Sequence, residues 1–219
     1  YHKVTGVQTC ALPICLLVGL SISAGAQQAG MSGPMADYRN GCLKMLEAME
    51  EKDKYDLYEA KEWFGRVKVS TWQDVVAADT GVKEADKVPE VYFDAEFADS
   101  LLRHNFDFVP LDEISLMREV DGVGDADLLV MNKAVPAHGT LEFKAMGSGQ
   151  CQLMLLSAQG AGLTLTVVET ATGKEYAGKA EPDGRVAWVE WNMGEEEGVF
   201  LFRIENRSER KASFVVAVN

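Results

Sequence analysis

Acidic residues crowd the short segment from Asp121 to Asp127, where three aspartates stand among glycine, valine and alanine. Such a segment could bind calcium, which prefers oxygen ligands gathered on a flexible loop. Its spacing differs from the EF-hand, which needs acidic residues at alternate positions and a final glutamate. We interpret residues 121–127 as a polar linker between two domains, and calcium binding is the alternative.

Residues that often act in catalysis are present but do not form a recognisable group. The run Glu195–Glu197 is consecutive in a predicted turn, whereas glycosidases use two acids about 5–10 Å apart. His104 and His138 lack the spacing of a zinc site. Gly147-Ser148-Gly149 is not a nucleophile elbow, because its glycines adjoin the serine instead of standing two positions away on each side. The sequence predicts no catalytic residue, no metal site and no cofactor, and it does not identify ligand-binding residues.

Trp188 and Trp191 are the aromatic residues with the clearest alternatives. They lie an odd number of positions apart on one predicted strand, so they should face opposite sides. One ring is expected in the core. The other is expected to pack against the helical part of the chain, and the alternative is an exposed ring that stacks on a sugar.

The C-terminal part of the chain, residues 128–219, must position most of these side chains. Short apolar runs alternate with polar residues and are separated by turn-forming residues, which predicts strands. The runs are Thr140–Ala145, Cys151–Leu156, Leu163–Val168, Val186–Trp191, Val199–Ile204 and Ser213–Val218. No segment between them is long enough for a helical crossover. We predict an antiparallel, jelly-roll-like β-sandwich in which Asn206-Arg207-Ser208, a glycosylation sequon, is a turn.

Residues 34–120 carry apolar residues at helical spacing and predict a helical hairpin or bundle. Capping residues, proline and one S-x-x-Q capping box mark where helices should begin. These predicted starts are Pro34, Asp53, Ser70, Asp94 and Pro110. The predicted fold class is therefore α+β, with a helical domain at 34–120, a linker at 121–127 and a β-sandwich domain at 128–219.

The first 33 residues are excluded from the folded part. Residues 1–14 resemble the translation of a sequencing-library adapter, and a natural leader is the alternative. Residues 15–26 combine the apolar run Leu16–Ile22 with the small-x-small motif Ala24-Gly25-Ala26, which resembles the end of a signal peptide and is too short to span a bilayer. We expect cleavage before Gln27, a disordered linker over 27–33 and no membrane insertion of the mature chain. The protein is expected to be exported, to the periplasm, the medium or the cell surface.

Two cysteines remain after this cleavage, Cys42 and Cys151. Export would permit a disulfide between them. Closing a loop on the order of 100 residues would stabilise the fold by about 4–5 kcal/mol in the chain-entropy model. We favour two separate buried thiols, because both cysteines lie on apolar faces and free cysteine behaves as a small hydrophobe.

The composition excludes one class of partner. The formal net charge is −13 over 219 residues, and hydrophobic residues make up 47% of the chain, which is enough for a sizeable core. Each contact with a nucleic-acid phosphate needs a local cation. We therefore expect no nucleic acid among the partners.

Two family resemblances add to this interpretation. The runs Gly139–Phe143, Leu163–Val167 and Val199–Asn206 resemble the bacterial pre-peptidase C-terminal type of sandwich, which implies a non-catalytic module of a secreted protein. Gly162-Leu163-Thr164 stands where that family often has Gly-Asp, so the resemblance implies no calcium ligand there. Phe93–Leu101 and Ser213–Val216 resemble secreted proteins of gut Gram-negative bacteria, a family without an established activity.

We therefore expect an exported, non-catalytic binding or interaction protein whose ligand is a protein or a glycan. Two alternatives stay open, a carboxylate-dependent secreted hydrolase and a structural component of the envelope. The sequence does not predict an oligomeric state.

Overall fold

The computed structural model describes residues 31, 33–71, 93–106, 126–160, 162–192, 194 and 197–219. Within this part the chain forms three helices and two sheets, and the predicted α+β class is confirmed. The helices are α1 (Pro34–Glu51), α2 (Lys54–Phe64) and α3 (Ala95–Arg103). The strands are β1 (Val69–Thr71), β2 (Leu128–Val135), β3 (Thr140–Gly147), β4 (Gln150–Leu156), β5 (Thr164–Glu169), β6 (Glu175–Ala177), β7 (Lys179–Ala180), β8 (Val186–Asn192), β9 (Gly198–Glu205) and β10 (Ala212–Val218).

The three helices begin where local capping chemistry predicts. Pro34 opens α1, where its missing N–H leaves no helical hydrogen bond unmade. The Asp53 carboxylate accepts a hydrogen bond from the backbone N–H of Tyr55 at the start of α2, at 2.7 Å. The Asp94 carboxylate likewise accepts from Phe97 N–H at the start of α3, at 2.8 Å. These predicted starts are confirmed.

The helix predicted to begin at Ser70 is wrong at its first residue. Ser70 lies in β1 and pairs in parallel with Leu129 of β2. A capping box is a local signal, whereas β1 forms because β2, about 60 residues later, supplies its hydrogen-bond partners. The rest of that predicted helix, the helix predicted at Pro110 and residues 121–125 lie outside the described residues. The division into two domains stays a prediction.

The strands form a six-stranded sheet in the order β1-β2-β10-β4-β8-β7 and a four-stranded sheet in the order β3-β9-β5-β6. All described pairings except β1–β2 are antiparallel. Gly178 lies between β6, the end strand of the four-stranded sheet, and β7, the end strand of the six-stranded sheet. A Cβ atom there would lie 2.9 Å from the carbonyl oxygen of Leu165 and 3.3 Å from that of Trp188, so this closure of the sandwich needs glycine.

Two apolar layers hold the described part together. One lies between the two sheets, and the other lies between the six-stranded sheet and the helices. Strand β4 contributes to both, because Leu153 and Leu155 face the opposite sheet while Met154 and Leu156 face the helices. Burial on both faces explains why its sequence is a nearly continuous apolar run.

Two ion pairs attach α1 to the turn between β7 and β8. The guanidinium Nε of Arg39 donates to the Glu181 carboxylate at 2.6 Å, and the Glu181 side chain is only 7% exposed. The guanidinium of Arg185 donates to the Glu50 carboxylate at 2.7 Å. Arg39 and Glu50 lie about three turns apart, so they project from one face of α1.

Cys42 and Cys151 are free, buried thiols, as we favoured from the sequence. Cys42 lies in the layer between the helices and the six-stranded sheet, and Cys151 lies between the sheets. Burial raises the pKa of both thiols, most strongly that of Cys42. Both shifts disfavour the thiolate, which is the form that reacts with electrophiles.

We expect both thiols to resist labelling until the protein unfolds. In a chain carrying Cys10→Ser and Cys15→Ser, maleimide at pH 8 should modify the native protein at least about tenfold more slowly than the urea-unfolded protein, because the thiolate is the reacting species. Single Cys42→Ser and Cys151→Ser variants assign the two sites. Equal labelling rates in the native and unfolded states would contradict the buried positions.

Candidate functional site

The outer face of the four-stranded sheet carries an exposed apolar patch. Met146 of β3 lies directly opposite Val199 of β9, and their exposed fractions are 69% and 39%. Leu201 of β9 lies opposite Val168 of β5, and alternation along each strand places both on the same outer face. We name these four residues, Met146, Val168, Val199 and Leu201, the sheet patch.

Charged side chains of both signs border the sheet patch. Lys144 lies opposite Leu201 on one side, and Glu175 lies opposite Val168 on the other. The guanidinium Nε of Arg203 donates to the Glu142 carboxylate at 2.7 Å, and this hydrogen bond raises the pKa of Arg203. An apolar centre inside a charged border has the layout of a protein–protein contact surface.

A second exposed apolar feature lies on α2. Tyr55 and Tyr58 are 84% and 58% exposed, and their spacing of three residues puts both on one side of the helix. The neighbouring Glu59 belongs to the carboxylate group around the Lys44 ammonium, from which it lies 3.5 Å away. The tyrosines thus stand beside negative charge on a helix surface.

A cavity of about 370 Å³ lies where the β4–β5 loop meets the β9–β10 turn. None of the described residues that line it is aliphatic or aromatic, whereas such residues predominate in small-molecule sites. The residues around it are Gln159, Gly160, Ser208, Glu209, Arg210 and Lys211.

The turn beside this cavity is built around the buried side chain of Asn206. Its amide nitrogen donates to the carbonyl oxygens of Val135, Pro136 and Arg210, at 3.4, 3.0 and 2.7 Å. Its amide oxygen accepts from the backbone N–H and the hydroxyl of Ser208, at 3.0 and 2.7 Å. The interpretation of the sequon as a turn is confirmed, since the nitrogen that a glycan would need is buried and fully bonded.

The two tryptophans face opposite sides of β8, as predicted, and both are buried. Trp191 lies between the sheets, with its ring centroid 5.3 Å from that of Phe200. Trp188 faces the helix layer, and the Lys179 ammonium lies 4.7 Å from its ring centroid. The preferred interpretation, packing against the helices, is confirmed. Neither ring is available to stack on a sugar.

The other sequence candidates are dispersed. His104 follows α3, whereas His138 lies in the β2–β3 turn with its Nε2 3.0 Å from the Glu209 carboxylate. In the acidic segment, the Asp127 carboxylate accepts from the backbone N–H of Lys68 at 2.8 Å. Asp121, Asp125, Glu195 and Glu196 lie outside the described residues. In the described part, no three His, Cys, Asp or Glu side chains are grouped to hold a metal.

The sequence reasoning missed the sheet patch, although a signal was present. The run Val199-Phe200-Leu201-Phe202 is apolar at four consecutive positions of β9. A strand with one solvated face normally alternates with polar residues. Leu201 and Val199 therefore break the expected alternation at the outward positions, and Met146 does the same on β3.

No described helix combines the length and hydropathy that a bilayer crossing requires.

No protein-family model matches the chain, and no curated protein matches it. Among solved structures, the pre-peptidase C-terminal domain of a Bacillus anthracis collagenase matches at 12% identity and a TM-score of 0.34, over 41% of this chain and 87% of that one. Aeromonas hydrophila PliG, a periplasmic inhibitor of g-type lysozyme, matches at 12% identity and 0.35, over 46% and 91%. The Yersinia pseudotuberculosis-derived mitogen matches at 8% and 0.31, over 42% and 85%. These likenesses are weak, concern the fold only and carry no conclusion about what this chain binds.

Proposed function

We propose that the protein is an exported, non-catalytic binding protein whose partner is another protein, contacted through the sheet patch. The observation that carries this proposal is that two large apolar side chains exposed in the described part, Met146 and Val199, are direct cross-strand neighbours. A contiguous exposed apolar patch with a polar border is typical of an interaction surface. Export rests on the signal-peptide resemblance of residues 15–26.

The chemistry of the sheet patch favours a protein over a glycan. Its four side chains are aliphatic or a thioether, and it offers no aromatic ring to a sugar. Methionine adapts its shape to an apolar partner surface, because its chain is unbranched and its sulfur is polarizable. The border of Lys144, Glu175 and the Glu142–Arg203 pair offers charges of both signs to a partner with complementary ones.

Three of the described carboxylates are held in a way that does not favour the alternative of a hydrolase. Glu142 contacts Arg203, Glu181 contacts Arg39, and Asp99 contacts both Lys61 and Arg103. Each of these acids is thus held by a cation rather than facing a second carboxylate across a cleft. Paired acids at a scissile bond would need the latter arrangement.

The test uses a double charge substitution in the sheet patch, Met146→Lys with Val199→Lys. A photo-crosslinking residue at position 168 of each chain reports partner capture in the native envelope. We expect capture to fall at least about tenfold, because two ammonium groups would face an apolar partner surface. Both positions point to solvent, so the thermal midpoint should stay near that of the unsubstituted chain.

A matched control replaces the other exposed apolar pair, Tyr55→Ser with Tyr58→Ser. This variant should retain capture. No capture from position 168 in the unsubstituted chain, or capture that the sheet variant leaves unchanged, would show that the sheet patch is not the contact surface.

A further inference from the structure

The four-stranded sheet ends in an unusually long edge strand. In the described part, the end strands β1, β6 and β7 contain three, three and two residues, whereas β3 contains eight. Proteins usually keep edge strands short, because an open edge presents unpaired N–H and C=O groups that can pair with another chain. Strand β3 is long enough to serve as such a pairing surface.

The backbone direction of β3 shows which residues present these groups. The N–H of Asn206 donates to the Gly139 carbonyl at 2.9 Å, so Gly139 points toward β9. Hydrogen-bonding direction alternates along an antiparallel strand, so Leu141, Phe143 and Ala145 also point their backbone groups toward β9. The backbone groups of the intervening residues, Thr140, Glu142, Lys144 and Met146, therefore point away from β9, to the edge along which no described strand pairs.

The side chains of β3 divide between the two faces of the sheet. Leu141, Phe143 and Ala145 pack against the core between the sheets but are only half-buried, because no described strand lies beyond β3. Glu142 and Lys144 lie on the outer face. An additional strand at this edge would cover the inner three and contact the outer two.

This strand is complementary to a second copy of itself. In an antiparallel pair centred on Phe143, inner residues meet inner residues, and Leu141 lies opposite Ala145 of the second copy. Glu142 lies opposite the Lys144 of the second copy, and the same ion pair recurs on the other side of the two-fold axis. Oppositely charged residues directly across two strands stabilise their pairing.

Other registers lack this complementarity. Centring the pair on Glu142 places two glutamates opposite each other, and centring it on Lys144 does the same with two lysines. A shift by one residue would bring inner side chains against outer ones. The register centred on Phe143 is thus favoured for two reasons: it places opposite charges across from each other, and it keeps inner side chains opposite inner ones.

We propose that two copies of this chain associate through antiparallel pairing of their β3 strands, centred on Phe143. Pairing joins the two four-stranded sheets into one continuous sheet with a two-fold axis at Phe143. The Phe143 residues form a pair without mutual backbone hydrogen bonds, where side chains approach closely, and the Glu142–Lys144 pairs exchange the backbone hydrogen bonds. Such an isologous contact closes on itself and ends at a dimer. This surface is the edge of the sheet and adjoins the sheet patch, because Glu142 and Lys144 on β3 also border that patch on the outer face.

The test is a charge swap that predicts both loss and recovery. The full chain should sediment as a dimer at micromolar concentration. Glu142→Lys alone or Lys144→Glu alone places like charges opposite each other twice per dimer, and the dissociation constant should rise at least about tenfold. An equimolar mixture of the two variants restores opposite charges at every contact, so a heterodimer should form.

Two further variants keep the outcome interpretable. Glu175→Lys, on the edge strand β6, should leave the dimer unchanged. Phe143→Cys, in a chain carrying Cys10→Ser and Cys15→Ser, should form a disulfide between two copies under mild oxidation, because the non-hydrogen-bonded pair brings the Cα atoms within disulfide range. A monomer at about 100 μM, dimers unaffected by the single substitutions, or a mixture that stays monomeric would each overturn the proposal. None of these results depends on the partner of the sheet patch.

Discussion

Replacing Arg39 by leucine is expected to lower the free energy of unfolding by about 3 kcal/mol. The Glu181 carboxylate is nearly buried, and Arg39 supplies the charge that neutralises it. Removing one partner of a buried ion pair leaves the other charge without compensation, and this loss exceeds what the intact pair contributes. Urea unfolding followed by circular dichroism measures the change.

Two companion variants separate the ion pair from other effects. A double variant, Arg39→Leu with Glu181→Leu, should recover most of the lost stability, because it removes the stranded carboxylate. Arg207→Leu breaks a pair with Glu205 in which both side chains are solvent-accessible, and it should change stability by less than about 1 kcal/mol. An Arg39→Leu chain as stable as the Arg207→Leu chain would show that the attachment of α1 does not depend on this contact.

Replacing Asn206 by alanine is the second substitution with a large expected effect, a loss of about 3 kcal/mol. Three backbone carbonyls lose their amide donor, and the Ser208 N–H and hydroxyl lose their acceptor. A buried polar group without a partner is unfavourable, because it lost its hydrogen bonds to water when the protein folded. Thermal or urea unfolding measures the loss.

The chain offers a matched control for Asn206. Asn192 also accepts a backbone N–H two residues later, from Gly194 at 2.8 Å, but it is exposed. Asn192→Ala should therefore lower stability by less than about 1 kcal/mol, since water replaces the lost bond. Asn206→Asp should be at least as harmful as Asn206→Ala, because a carboxylate oxygen would face the three carbonyl oxygens. Equal effects of the two alanine substitutions would contradict the structural role of Asn206.

Each of these two sites joins segments that are distant in the sequence, and the Asn206 site also supports β3, which contributes to both proposed surfaces. The Asn206 side chain joins the β2–β3 turn to the β9–β10 turn, so it sets where β3 begins. The Arg39–Glu181 pair joins α1 to the turn before β8. The residues that these contacts join are about 70 to 140 positions apart, so no local sequence pattern predicts the contacts.

Local chemistry explains what could be predicted. Asp53 and Asp94 cap helices through bonds to residues two or three positions away, so the cap is complete within the sequence segment. Among the six predicted strands, β3, β5 and β9 turn one face to the core, whereas β4, β8 and β10 contribute to both apolar layers and have nearly continuous apolar runs. Strands β6 and β7 escaped prediction because two or three residues carry no period, and β1 escaped because its partner is remote. Strand β2 also escaped, because its first four residues, Leu128–Met131, are all apolar and do not alternate.

The sequence by itself determined the fold class, the starts of α1, α2 and α3, the opposite faces of Trp188 and Trp191 and the turn at Asn206, because each depends on spacing or on contacts within a few residues. Only the tertiary structure decided that both tryptophans are buried, that Cys42 and Cys151 occupy different layers, and that Met146 meets Val199 on an exposed face. Burial and cross-strand neighbours depend on which segments stack together. Which segments stack together depends on how the apolar surface of the whole chain is buried, and the sequence of a single segment does not show it.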